Sequence, residues 1–141
     1  MINKTLIFFL IISNLIFLNL YGEDQINFDV SEIEILDSGK KIVGKNRGTI
    51  TTENGIIIQA DEFEFDKVKN ILKAKGNITI EDKLNNYNFF AKAITYFKNE
   101  EKIKIQGKTE AIIGNNYDFK TENISILREQ MIISSDIGVK I

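Results

Sequence analysis

Hydrophobic and polar residues alternate strictly through two stretches of the chain. Across residues 72–81 the apolar residues and one glycine occupy even positions, and polar residues such as Lys73 occupy odd positions. Across residues 102–111 the odd positions hold apolar residues, one glycine and one threonine, and the even positions hold charged residues such as Lys104 and one glutamine. This two-residue period is typical of a strand with one buried face. Both stretches are therefore predicted to be half-buried strands, with Lys73 and Lys104 pointing outward.

The two stretches belong to a unit that recurs along the chain. Gly48, Gly76 and Gly107 mark successive copies, 28 and 31 residues apart, a period that indicates stacked supersecondary units. Gly76 and Gly107 lie within the strand patterns, where a missing side chain permits a bend or a close approach of another backbone. Echoes of the unit at 30–36 and 121–127 extend the repeat on both sides.

From residue 24 onward the chain is predicted to be short strands joined by compact turns, without a helical period. Turn chemistry occurs at 37–39, 53–55, 85–86 and 114–116, where Asn, Asp and Gly cluster. Because the chain has no proline, nothing interrupts strand pairing, and edges near 31–36 and 130–135 are predicted to stay open. The predicted strands are 32–36, 41–46, 48–52, 56–60, 62–66, 69–75, 77–81, 87–91, 93–97, 102–106, 108–113, 117–121, 123–127 and 130–135.

Residues 1–22 are predicted to be a secretory signal peptide. Lys4 precedes a short apolar run, and a cleavage site is expected after Gly22. The alternative is an uncleaved anchor, although the run is shorter than the roughly 20 residues of a spanning helix. Residues 23–141 then form one domain.

Composition excludes several classes of chemistry. The chain has no cysteine and no histidine, which removes disulfides, zinc sites of the usual kind and most catalytic arrangements. We expect no metal, no cofactor and no catalytic site. A net charge of −2 disfavours a general nucleic-acid binder. The acidic cluster Asp61, Glu62, Glu64 and Asp66 is predicted to be a solvated strand face, with a calcium site or a carboxylate pair as the alternative.

Apolar side chains recur at equivalent places in successive units and predict a stripe along the repeat. From periodicity alone the stripe is a sandwich core. The alternative is that two sheets close incompletely and the stripe lines an elongated cleft for an acyl chain. The members of the stripe are Phe63, Phe65, Phe90, Ile94, Tyr96, Ile124 and Ile126.

The order of motifs resembles the OstA-like N-terminal domain, a family that includes the lipopolysaccharide transport protein LptA and the N-terminal part of LptD; LptC has the same fold. The resemblance covers about residues 28–135. The motifs that carry it are Gly48-Thr-Ile-Thr, Ile57-Ile-Gln-Ala-Asp61 with Phe63 and Phe65, and Leu72-Lys-Ala-Lys-Gly-Asn-Ile78.

The resemblance implies an all-β fold, an open antiparallel β-jelly roll in which two sheets form a V. It also implies a non-enzymatic role in the periplasm of a Gram-negative bacterium, in complexes at the inner or outer membrane. The implied partners are lipopolysaccharide, whose lipid A acyl chains lie inside the V, other jelly-roll domains joined by edge-strand pairing, and further copies head to tail. The implied groove residues are Phe63, Phe65, Ile78, Ile80, Phe90, Ile94, Tyr96, Ile103, Ile105, Ile124 and Ile126.

Other functions stay open on the sequence. The chain could be the periplasmic portion of the LptD translocon, an anchored LptC-like protein, or a β-scaffold that pairs with partner edges without holding lipid. An enzyme acting on lipids or glycans would need an acid and base pair on the inner face, and the predicted strands place none there.

Overall fold

The computed structural model describes residues 26–114 and 117–136, and all long elements in these ranges are β-strands. Two 3-10 turns of three residues each are the helical segments of this part. The all-β prediction is confirmed; the predicted signal peptide at 1–22 lies outside the described residues. The strands are β1 (Asn27–Leu36), β2 (Lys41–Thr51), β3 (Ile56–Ala60), β4 (Glu62–Asp66), β5 (Ile71–Asp82), β6 (Tyr87–Phe97), β7 (Lys102–Ile113), β8 (Tyr117–Leu127) and β9 (Ile132–Ser135).

The strands form one antiparallel sheet in the order β1-β2-β3-β5-β6-β7-β8-β9. β4 occupies the same place in this order as β3, because both pair with β2 on one side and β5 on the other. Except at that place, strands that follow each other in the chain are neighbours in the sheet. β1 and β9 are the two edges, as the sequence predicts.

A common line of irregularities crosses the long strands, and we call it the bend line. Pairing is interrupted between Lys75 and Ile78 in β5, between Phe90 and Ala93 in β6, and between Ile105 and Lys108 in β7. The predicted strand breaks near 76, 92, 107 and 122 fall on this line. Two strands predicted on either side of such a break, such as 102–106 and 108–113, are therefore the two halves of one strand. Left-handed backbone along the line occurs at Asn46, Arg47, Gly76, Asn77, Gly107 and Asn123.

The bend line divides the sheet into two layers that fold over each other as a jelly roll. Layer 1 contains 27–30, 48–51, 56–60, 78–82, 87–91, 108–113 and 117–122. Layer 2 contains 32–36, 41–45, 62–66, 71–75, 93–97, 102–106, 123–127 and 132–135. Apolar residues of both layers belong to a single buried core. The rings of Phe28 in layer 1 and Phe65 in layer 2, for example, have centroids 6.1 Å apart.

Asp61 fixes the bend where β3 becomes β4. Its backbone N–H donates to the carbonyl oxygens of Lys75 and Gly76, at 3.1 and 3.0 Å. Its carboxylate accepts hydrogen bonds from Arg47 Nη1 at 3.1 Å and from Asn77 Nδ2 at 2.8 Å. Three strands are thereby joined at the bend line, and the first residue of the acidic cluster has a structural role there.

Candidate functional site: the apolar interior and its mouth

Two apolar rows cross layer 2 from one edge of the sheet to the other, because strand pairing brings like residues into register. In each row the inward side chain of one strand is opposite the inward side chain of the next. The first row is Ile35, Ile42, Phe65, Leu72, Tyr96, Ile103, Ile126 and Ile133; the second is Ile33, Gly44, Phe63, Ala74, Ile94, Ile105, Ile124 and Ser135.

Layer 1 contributes a third row that faces these two across the core. Like the others, it runs through every strand of its layer without a charged residue. Its members are Phe28, Ile50, Ile58, Ile80, Phe89, Ala111 and Phe119. The interior between the layers is therefore apolar along the whole width of the sheet.

Ten of the eleven residues predicted for a lipid groove lie in this interior. Eight belong to the rows of layer 2, Ile80 belongs to the third row, and Ile78 lies beside it next to the bend line. Each of the ten is at most 7% exposed. The residues are brought together, but as a closed core, so an acyl chain reaches them only if the layers separate.

The eleventh residue, Phe90, lies on the opposite face, and its inward placement from the sequence is wrong. Phe90 is 41% exposed, whereas its neighbour Phe89 is 1% exposed and fills the inward position. The bend in β6 contains one residue more than a strict alternation allows, so Phe89 and Ile94 both point inward although one number is odd and the other even. If strict alternation is counted back from the inward Ile94, it assigns Phe90, and not Phe89, to the inward face.

The apolar interior opens at both edges of the sheet. On β1, Ile33 and Ile35 occupy inward positions of the two rows, yet they are 47% and 69% exposed. At the other edge the inward Tyr117 of β8 is 67% exposed, and Ile133 of β9 is half-buried. Because the rows end in uncovered apolar side chains, a further strand at either edge would extend the interior.

A cluster of polar residues, of which Asp82 and Arg128 are buried, joins the two layers at the strand ends farthest from the bend line, which we call the mouth. The cluster contains Asn54 and Asp82 from layer 1 and Glu101 and Arg128 from layer 2; we call it the latch. Arg128 Nε donates to Asp82 Oδ2 at 2.7 Å, and Arg128 Nη2 donates to the Asn54 carbonyl oxygen at 2.9 Å. Arg128 Nη1 donates to Glu101 Oε2, and Asn54 Nδ2 donates to Glu101 Oε1 at 2.8 Å.

The latch is enclosed and well satisfied. The side chains of Arg128 and Asp82 are 7% and 4% exposed, and that of Glu101 is 14% exposed. Tyr96, in the first apolar row, donates its hydroxyl to Glu101 Oε1 at 2.6 Å. Asn85 donates its backbone N–H and its side-chain amide to Asp82. These bonds connect the mouth to the core beneath it.

Hydrogen bonding decides the charge state of the latch. Burial alone would raise the pKa of Asp82, but hydrogen bonds from Arg128 and Asn85 outweigh burial and hold this pKa below its ordinary value. Burial alone would lower the pKa of Arg128, but its bonds to Asp82 and Glu101 raise it. Arg128 and Asp82 therefore form an ion pair at neutral pH.

Sequence patterns did not identify the latch. Arg128 lies 46 residues from Asp82 and 27 from Glu101, and no short motif links residues so far apart. One signal was available: the chain has two arginines, Arg47 and Arg128, among 18 basic residues. Both of them join separate segments of the fold, which suits the planar, multiply donating guanidinium.

A second concave feature lies on the outer side of layer 1, beside the bend line. It is an open groove of about 840 Å³. Thr79, Phe90, Glu110 and Lys120 form a row across it, because they pair in register from β5 to β8. Its charges are mixed, and Lys120 Nζ lies 3.6 Å from Glu110 Oε2.

The acidic cluster is engaged with cations of the protein itself. Besides Asp61, Glu64 lies 3.8 Å from Lys41 and Asp66 lies 3.4 Å from Lys69. Among residues 26–114 and 117–136, no group of three or more potential ligands could hold a metal ion. Nor does any helix in these ranges have the length and apolar character needed to cross a membrane.

Comparison with solved structures shows a similar fold. The crystal structure of LptH, described as the LptA homologous periplasmic component of the conserved lipopolysaccharide transport device from Pseudomonas aeruginosa, superposes with a TM-score of 0.72. The two sequences are 15% identical, and the match covers 82% of this chain and 85% of LptH. No protein-family model matches the chain, and no curated protein matches it.

Proposed function

We propose that this protein is a non-enzymatic lipopolysaccharide-binding and transport module of the OstA-like kind, working in the periplasm of a Gram-negative bacterium. The observation that carries the proposal is the continuity of the first apolar row from β1 to β9, with the other two rows beside and opposite it. A lipid that crosses an aqueous compartment needs an unbroken apolar surface for its acyl chains, because each exposed methylene is costly in water. The jelly-roll fold, shared with a transport component, supports the same function.

Site-specific photo-crosslinking tests the proposal directly. A photoreactive residue at Ile35, at the open end of the first row, should capture lipopolysaccharide without disturbing the core, and one at Ile105 should capture it inside. The matched controls are Glu34 and Lys104, which neighbour these residues on the same strands and point to the other face. Equal capture on both faces would contradict acyl chains lying along the rows.

The open edges are proposed to pair with other jelly-roll domains or with further copies, head to tail. Edge strands present unpaired N–H and C=O groups that accept an added strand. Such a contact does not close on itself and therefore propagates. The rows of successive domains would then join into one apolar path, with Ile33 and Ile35 of one domain beside Ile133 of the next.

Proline at the β9 edge tests this pairing. N–H directions alternate along an edge strand, so of Ile133→Pro and Ser134→Pro, one removes an outward donor and the other removes a bond to β8. The variant that loses the outward donor should no longer form concentration-dependent oligomers, measured by light scattering, and should keep the circular dichroism spectrum of the wild type. Wild-type protein that stays monomeric at high concentration would rule out self-assembly. Such a monomer that also captures no lipid would favour the β-scaffold.

The proposed location has its own test. The mass of protein recovered from the periplasm should correspond to removal of residues 1–22. An intact leader in the inner membrane would contradict the cleavage and favour an anchored protein.

A further inference from the structure

The latch closes the part of the interior through which a lipid would enter from the side. At the bend line the two layers are continuous chain, so they cannot separate there. At the mouth, by contrast, separate segments meet, and hydrogen bonds of Arg128 and Asn54 join the two layers above the apolar core. Asp82 is itself an inward position of layer 1, in register with Ile56 and Tyr87. The latch therefore lies directly over the ends of the apolar interior.

We propose that the latch is a gate, which holds the mouth shut without cargo and must open for acyl chains to enter. The gate rests on the proposed lipid-binding function. Three observations carry it: the predicted groove residues are closed off, the bonds of Arg128 to Asp82 and Asn54 cross from one layer to the other, and Arg128 is bonded on three of its nitrogen atoms. A lipid that binds only the open form has its apparent affinity reduced by the fraction of molecules that are open.

Neutralising the latch as a unit should open the gate. Arg128→Met alone would leave two buried carboxylates without a cation, which risks unfolding. The informative protein is the triple variant Asp82→Asn, Glu101→Gln and Arg128→Met, which removes the three charges together. The matched control is Arg47→Met. It breaks the chain's other arginine pair, 3.1 Å from Asp61, at the bend line rather than at the mouth.

The width of the mouth can be measured because the chain has no native cysteine. Cysteines at Glu53 and Glu129, two exposed residues next to Asn54 and Arg128, would carry spin labels on opposite sides of the mouth. Pulsed electron paramagnetic resonance should give one short distance in the wild type without lipid. The triple variant should give a longer distance, and the Arg47→Met control should match the wild type.

A pyrene-labelled dodecanoic acid serves as the acyl probe for affinity. If about one wild-type molecule in ten is open, the triple variant should bind it about tenfold more tightly. A folded triple variant with the wild-type distance and the wild-type affinity would overturn the gate. If the distance widens but neither protein binds the probe or lipopolysaccharide, the latch does hold the mouth, and it is the lipid-binding function that fails.

Discussion

Alanine substitution of the three marker glycines should have three different effects, although the glycines occupy equivalent places in the repeat. Gly107 provides only a left-handed backbone, Gly76 also leaves room for Asp61, and Gly48 lets the backbone of β1 approach. Gly107 has φ +81°, and a Cβ built on it meets nothing within 4 Å. Gly76 has φ +77°, and its Cβ would overlap Asp61 Oδ2 and lie 2.9 Å from Asp61 Cβ. Gly48 is outside the left-handed region, but its Cβ would lie 2.6 Å from the Asp29 carbonyl oxygen and 2.8 Å from Val30 Cα.

These contacts give different magnitudes. Gly107→Ala should lower the free energy of unfolding by about 1–2 kcal/mol, the cost of a left-handed residue with a Cβ. Gly76→Ala has the same backbone cost and also displaces the Asp61 carboxylate from Arg47 and Asn77. Exposed pairs of this kind contribute about 0.2–1 kcal/mol each, so the total should reach about 2–3 kcal/mol. Gly48→Ala should push the edge strand β1 away from β2, because the Val30 side chain can rotate but the two backbone atoms that the Cβ meets cannot move without the strand.

Urea unfolding and amide hydrogen exchange measure these effects. Gly76→Ala should unfold at a lower urea concentration than Gly107→Ala. In an Asp61→Gly background, which removes the Asp61 Cβ as well as its carboxylate, the difference between the two variants should largely vanish. In Gly48→Ala, hydrogen exchange should show that backbone amides lose protection in β1 and in its partner β2 and not elsewhere. If Gly107→Ala destabilised as much as Gly76→Ala, or if the Asp61→Gly background left the difference intact, the contact with Asp61 would not be its cause.

Three further outcomes are expected. Arg128→Met should lower the free energy of unfolding in urea by about 3–5 kcal/mol, because it leaves buried carboxylates unpaired; a loss below about 1 kcal/mol would contradict burial of the pair. Since the folded pKa of Asp82 is lowered, its stabilisation is complete above its unfolded value of about 3.9 and is lost as pH falls through the folded pKa. The urea midpoint should therefore drop on acidification below about pH 4, and drop less in Asp82→Asn; equal drops would exclude Asp82 as the group responsible. Phe89→Ala should destabilise by about 3–5 kcal/mol and Phe90→Ala by about 1 kcal/mol, and the reverse order would contradict their assignment to opposite faces.

Most of the strand structure could be predicted because the alternation is local. In β5 and β7 the inward positions keep the same parity on both sides of the bend line, and Gly76 and Gly107 absorb the bend. The inward residues predicted there, such as Ile80 and Ile105, are buried as expected. The breaks between predicted strands also fall on the bend line, where Gly76 and Gly107 interrupt the runs of apolar side chains in β5 and β7.

The errors arise where no residue marks the geometry. In β6 no glycine marks the bend, so nothing in the sequence shows the extra residue that moves Phe90 to the outer face. The first strand begins at Asn27 rather than at 32, because its first half precedes the repeat signal. The latch depends on contacts between distant turns, which follow from the folding of the layers and not from any local pattern.

The chemistry of the latch suits a mouth that has to open. Separating an apolar seam exposes hydrocarbon to water at about 25 cal/mol for each Å², and nothing offsets that cost until cargo arrives. Separating an ion pair loses the hydrogen bonds of Arg128 but returns Arg128, Asp82 and Glu101 to water, where hydration recovers much of the desolvation penalty of burying them. The latch's own contribution to the closed form is therefore small, even though it fixes the closed geometry, and the larger cost of opening is the apolar surface that the acyl chains of the cargo then cover. A core that is apolar from edge to edge, closed by one ionic cluster at its mouth, has the energetic form that reversible lipid entry requires.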